Sequence, residues 1–128
     1  KDLKELWRRI VFGMSVSNTD DHLRNHGFIL TEKGWKLSPI YDVNPVPYGE
    51  SLSLNVDLDD NRISIDLVRS VAQYFGINTE EAEKESRKIM EIVSKNWERI
   101  AEKNRLSRNA CRYMETAFEM AIKGCCKK

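Results

Sequence analysis

Ser17-Asn-Thr-Asp-Asp-His-Leu-Arg-Asn-His-Gly27 sets two acids, two asparagines and both of the chain's histidines where one periodic pattern stops and another starts. Before it, Leu3, Leu6, Trp7, Ile10, Val11 and Met14 recur at three- and four-residue steps, one apolar stripe of an amphipathic helix. That helix is expected to fail near Ser15–Asn18, where short polar side chains compete for backbone hydrogen bonds. After it, Phe28-Ile-Leu30 and Trp35-Lys-Leu37 flank Thr31-Glu-Lys-Gly34, whose closing glycine suits the turn of a β-hairpin. The stretch is therefore a helix-to-hairpin junction loaded with polar chemistry.

Pro39, Pro45 and Pro47, the chain's three prolines, follow within nine residues and rule out regular helix there. Ser51-Leu-Ser-Leu-Asn-Val-Asp57 alternates polar and apolar as a half-buried strand does, and Asp59-Asp-Asn61 reads as a turn. Leu67, Val68, Val71, Ala72 and Phe75 predict a short helix stopped at Gly76. Asn78, three residues before Glu81, resembles a capping pattern at the head of a long helix through Ile89, Val93, Trp97 and Ile100 to about Lys103. Ser107 opens a last helix, with Gly124 expected to end it. The fold class is mostly α, of the α+β kind, with one small β insert. Trp7, Trp35 and Trp97 all stand at core-spaced positions.

The 128 residues suit one domain with one core. With 41% apolar and 32% charged residues, the chain is neither a disordered segment nor a membrane-spanning one. Lysine and arginine total 21 against 20 acids, and a net charge of +1 gives no general pull toward nucleic acid. Three cysteines without paired spacing indicate neither a disulfide framework nor a zinc ribbon, so a reducing, cytoplasmic setting is expected. Cys125 and Cys126 read as tail residues without a catalytic role, and Arg105, Arg108 and Arg112 as a solvated face. The chain starts at Lys1 rather than Met, which is what a piece of a longer protein would show.

Phosphoryl transfer needs a carboxylate to orient and deprotonate a hydroxyl, and oxygen ligands that hold Mg²⁺ against the phosphates. Asp20-x-His22-x-x-Asn25 offers Asp20 as base and Asn25 as ligand. The intervening hairpin would return the chain so that Asp42, in Ser38-Pro-Ile-Tyr-Asp-Val-Asn-Pro45, lies beside the Asp20 loop as a second ligand. His22 is either a packed scaffold of that loop or a phosphate contact, and Asp21 a capping or solvent-facing neighbour. Arg24 is expected to pair with a nearby acid, a substrate-phosphate contact being the alternative, and Asn44 to serve the turn before Pro45, a contact near the metal being the alternative. A competing reading, a metal-dependent hydrolase on Asp20, Asp21, His22 and His26, would use zinc or manganese on imidazoles.

Asp-x-His-x-x-Asn, followed about twenty residues later by an Asp after a short hairpin, resembles the catalytic loop and metal-binding Asp of kinase-like folds. Asn18-Thr-Asp-Asp-His-Leu-Arg-Asn25 with Leu37-Ser-Pro-Ile-Tyr-Asp-Val-Asn-Pro-Val-Pro47 is closer still to the HipA family, the serine/threonine-kinase-like toxins of bacterial type II toxin–antitoxin systems. The resemblance covers roughly residues 5–60 and is only architectural beyond them. It implies Asp20 as the catalytic base, Asn25 and Asp42 as Mg²⁺ ligands, and His22, Asn25 and Asp42 as the residues nearest ATP. It implies a kinase-like C-terminal helical lobe, with the glycine-rich loop and nucleotide-pairing lysine in an N-terminal lobe that these residues do not contain. Alone, such a lobe would not turn over ATP. The resemblance also implies a HipB-like antitoxin as partner, contact with nucleic acid only through that antitoxin, and translation components such as aminoacyl-tRNA synthetases as substrates. The alternative is a pseudokinase-like scaffold without chemistry.

Overall fold

The computed structural model describes residues 1–126. Helix α1, Asp2–Ser15, buries Trp7, Val11 and Met14 completely, and the indole N–H of Trp7 donates to the Val68 carbonyl at 2.8 Å. Strands β1, Phe28–Thr31, and β2, Gly34–Leu37, form the expected antiparallel hairpin, with Phe28 opposite Leu37 and Thr31 opposite Gly34. Gly34 has a φ of +103°, a backbone angle that explains the glycine at that turn.

Helix α2, Ile65–Ser70, begins with the Ser64 hydroxyl accepting from the Leu67 N–H and runs into a tight 3₁₀ turn, Ala72–Phe75. The long α3, Thr79–Lys103, starts as expected: the Asn78 side-chain oxygen accepts from the Glu81 N–H at 2.8 Å. Ser107 caps α4, Arg108–Met114, and a 3₁₀ turn, Glu115–Phe118, leads into α5, Glu119–Cys126. Helix α3 packs against both α1 and α5. One apolar cluster joins Trp7, Val11, Met14, Val68, Ala72, Ile77 and Ala82; a second joins Val16, Met90, Val93 and Ala121. Among the described residues no helix is long and apolar enough to cross a membrane.

Three expectations fail. Trp35 is not core: it is 68% exposed on the hairpin, beside the exposed Phe28 and Leu30, because the two strands pair only with each other and no layer covers them. Residues 51–57 are not a strand. Their alternation is real, with Leu52, Leu54 and Val56 half-buried and the residues between them exposed, but the only pairing among the described residues is an isolated bridge from Ser51 to Arg62. The Leu52 and Val56 N–H groups instead reach Asn61 and Asp60 carbonyls within the same loop. Gly124 does not end the last helix. It lies inside α5, where a Cβ would stand 2.4 Å from the Met90 sulfur, so it serves close packing of α5 on α3.

The Asp59–Asn61 turn is held from outside by Arg62, whose Nε donates to the Asp60 carboxylate at 3.0 Å and holds that carboxyl down to about 2. Because the folded value is depressed, the pairing is present above the ordinary carboxylate range and is lost only as pH falls through about 2. A carboxyl-carbon NMR titration is expected to give an Asp60 midpoint near 2 in the wild-type chain, and one back toward 3.8 in Arg62→Ala.

Candidate functional site

Helix α1 delivers the polar junction by ending abruptly. Ser17 turns the chain with a φ of +53°, and the Asn18 N–H closes back on the Gly13 carbonyl at 2.8 Å. Residues Leu23–Asn25 form a single 3₁₀ turn in which the Asn25 N–H donates to the His22 carbonyl and the Asn25 side-chain oxygen accepts from the His22 N–H at 3.1 Å. The hairpin then brings the chain back, and its exit is fastened on three sides. Ser38 N–H donates to the Gly27 carbonyl, the Arg9 guanidinium donates to the Ser38 carbonyl, and the Tyr41 hydroxyl donates to the Arg24 carbonyl at 2.6 Å.

That return places Asp42 against Asn25, where the amide nitrogen of Asn25 donates to Asp42 Oδ2 at 2.8 Å. Asn25 is 7% exposed, whereas Asp42 is exposed and has a φ of +53°. Aspartate tolerates that left-handed conformation better than most residues. The other carboxylate oxygen, Asp42 Oδ1, accepts from the Asn44 side-chain amide at 2.9 Å. Each oxygen of this acid is thus oriented by a separate amide donor. Asp20 stands apart on the neighbouring loop, exposed, and among the described residues no group donates to its carboxylate.

The predicted residues are distributed unevenly around this centre. Asn25 and Asp42 touch, and Asp20 sits on the loop next to them. His22 contributes its backbone, while its ring Nδ1 is buried without a hydrogen-bond partner. Asp21 is neither cap nor free surface: its carboxylate meets His26 Nε2 at 2.8 Å, closing the turn of residues 21–26 that follows Asp20. His26 is thereby taken away from any pairing with His22. Among the described residues, no group of three His, Cys, Asp or Glu side chains is placed to hold a metal ion. Arg24 is exposed and forms no ion pair among the described residues, against the expectation of an acidic partner. Arg105, Arg108 and Arg112 are solvated as expected. Cys125 is half-buried, its sulfur 3.2 Å from the Ser94 hydroxyl; the Cys126 side chain lies outside the described ones.

Asn44, read first as a turn former and second as a contact near the metal, donates to Asp42 Oδ1, and Asn18, read as a helix breaker, accepts from the Asn44 N–H at 3.2 Å. The only sequence signal for either is an asparagine two residues from a key acid on each loop. Gly49 marks a further close approach, since a Cβ there would lie 2.5 Å from Thr19 Cγ2 and 3.4 Å from the Val46 carbonyl oxygen. Gly49→Ala is expected to cost about 1–3 kcal/mol in urea unfolding, and to shift the amide resonances of Thr19 and Asp20.

Comparison with known proteins bears on the same segment. A family model described as "HipA-like C-terminal domain" matches residues 1–103. A Haemophilus influenzae protein named "Putative kinase" is 45% identical over 49 residues, which are 37% of this chain and 14% of that protein's length.

Proposed function

Because the chain belongs to the family of HipA-like C-terminal domains, we propose that it is the catalytic lobe of a HipA-like protein serine/threonine kinase. In this reading it works joined to a second lobe that grips ATP, and it is inactive alone. The observation that carries the proposal is the 2.8 Å contact between Asn25 and Asp42, two residues seventeen positions apart that the hairpin brings together. The exposed Phe28, Leu30 and Trp35 add support, since an apolar hairpin of this kind suits a lobe that packs on another.

The residues suit Mg²⁺. Asp42 supplies a charged, surface-facing carboxylate and Asn25 a neutral amide, both hard oxygen donors of the type that ion takes. The side-chain oxygen of Asn25, which accepts from the His22 N–H, and the carboxylate of Asp42 would be the oxygens that hold it. Bound there, Mg²⁺ would offset charge on the transferred phosphoryl group. The chain's own part is positioning: Asp20, exposed and unencumbered, orients a protein hydroxyl and accepts its proton, with the Asp21–His26 pair bracing the turn that follows it. By family likeness, the protein substrate is a translation component such as an aminoacyl-tRNA synthetase, and the binding partner is a HipB-like antitoxin.

The test is transfer of the γ-phosphate of ATP, in the presence of Mg²⁺, by the full-length protein. Incorporation into a serine or threonine is expected, and Asp42→Ala is expected to remove it. Incorporation that survives unchanged in Asp42→Ala removes Asp42 from the chemistry and the kinase reading with it.

A further inference from the structure

The loop that carries Asp20 is anchored mainly from across the site. Three successive residues before Asp20 each accept a hydrogen bond from the segment that follows Asp42. The Ser17 carbonyl accepts from the Val46 N–H at 3.2 Å, the Asn18 side-chain oxygen from the Asn44 N–H at 3.2 Å, and the Thr19 carbonyl from the Ser53 hydroxyl at 2.6 Å. Only Asn18 among these three makes its bond with a side chain. It is 5% exposed, and its own N–H is fixed to the Gly13 carbonyl of α1. Its partner Asn44 uses its backbone N–H toward Asn18 and its side-chain amide toward Asp42 Oδ1.

The geometry points to Asn18 and Asn44 as a pair of positioning residues, a relay running from the end of α1 through Asn18 and Asn44 to the carboxylate of Asp42. The inference rests on the reading of Asp42 as a cation ligand. Asp42 is exposed and held at a left-handed backbone angle, so without a donor on Oδ1 its carboxylate would be held at Oδ2 alone, by Asn25. Asn44 holds the second oxygen, and Asn18 sets where Asn44 stands. Asp20 lies two residues beyond Asn18 and Asp42 two residues before Asn44, so the pair also fixes the offset between base and ligand. Groups that orient a metal ligand in this way commonly change metal affinity ten- to a hundredfold when lost.

Mn²⁺ alone, added to the isotopically labelled chain, is the probe. Paramagnetic broadening of amide signals in residues 18–25 and 42–46 gives a dissociation constant, and hydrogen exchange reads the Asn44 N–H directly. Asn44→Ala is expected to weaken Mn²⁺ binding by about tenfold or more with an unchanged urea unfolding curve. The Asn44 N–H is expected to exchange slowly in the wild-type chain and in Asn18→Asp, which keeps the acceptor, and quickly in Asn18→Ala. Undiminished binding in Asn44→Ala, alongside lost binding in Asp42→Ala, overturns the positioning role and leaves the site intact. Undiminished binding in Asp42→Ala overturns the site itself and the pair's role in it. Fast exchange of the Asn44 N–H in the unaltered chain overturns the relay with no variant needed.

Discussion

Asp20→Ala in the full-length protein lowers phosphate transfer to the protein substrate by about a hundred- to ten-thousandfold, the span that a positioned general base contributes. The fold should not register the change. Asp20 is exposed, its carboxylate takes no hydrogen bond among the described residues, and its neighbours are held by backbone bonds that alanine keeps. The two effects are separable in one preparation by following phosphate incorporation and urea unfolding together. Loss of activity with an unchanged unfolding midpoint is the expected outcome. An Asp20→Ala protein that retains wild-type turnover would move the base to another residue. Asp21 would be a poor substitute, because its carboxylate is engaged by His26 at 2.8 Å.

Trp7→Ala is the complementary change, with its whole effect on stability. Trp7 is 0% exposed, sits in the cluster of Val11, Met14, Val68 and Ala72, and is the residue through which α1 hydrogen-bonds α2. Truncating a buried tryptophan costs about 3–5 kcal/mol, out of a total that is about 5–15 kcal/mol for a domain. The urea midpoint should fall by about 2 M at the slope usual for a chain of this size. Trp7→Phe should lie between the two, recovering most of the packing but leaving the hydrogen bond to Val68 unmade. A change below about 1 kcal/mol for the alanine variant would contradict the packing described here.

Helix α1 was legible in its apolar period alone, and α3 in both its period and its cap, whereas the single helix expected from Ser107 is interrupted by the 3₁₀ turn Glu115–Phe118. Asn78 before α3 and Ser107 before α4 both make the bonds that their positions predict. The hairpin was equally plain. What the sequence could not disclose was what covers each element. Alternation in residues 51–57 records which side chains turn inward, and it is correct; it carries no information on whether a partner strand exists to accept the backbone bonds. Trp35 failed for the same reason, since core spacing presumes a core on that side. Gly124 reads identically as a helix stop and as a gap for Met90, and only the neighbour decides between them.

At the site, the acids and Asn25 could be singled out because their order and spacing resemble the catalytic loop and metal-binding Asp of kinase-like folds. The return of Asp42 to the Asp20 loop followed from the hairpin. Asn18, and its link to Asn44, were hidden because that relation is geometric: asparagine before a turn is common, and only the three-dimensional bond from one to the other distinguishes them. The Asp21–His26 pair was hidden in a similar way, because two adjacent aspartates look interchangeable until one of them is seen to be occupied.

The bonds that hold Ser17, Asn18 and Thr19 join residues about 26 to 34 positions apart, and Tyr48 is tied to Thr116 from still farther away. The contacts that dock α1 on α2 and α3 span longer loops still, Trp7 to Val68 and Lys4 to Glu81, but they close around buried apolar side chains, whereas each bond to Ser17, Asn18 or Thr19 offsets its loop closure with a single hydrogen bond. The loops of residues 17–20 and 42–53 are therefore expected to open more readily than the helical core, and hydrogen exchange should be faster at the Val46 and Asn44 N–H groups than inside α1 and α3.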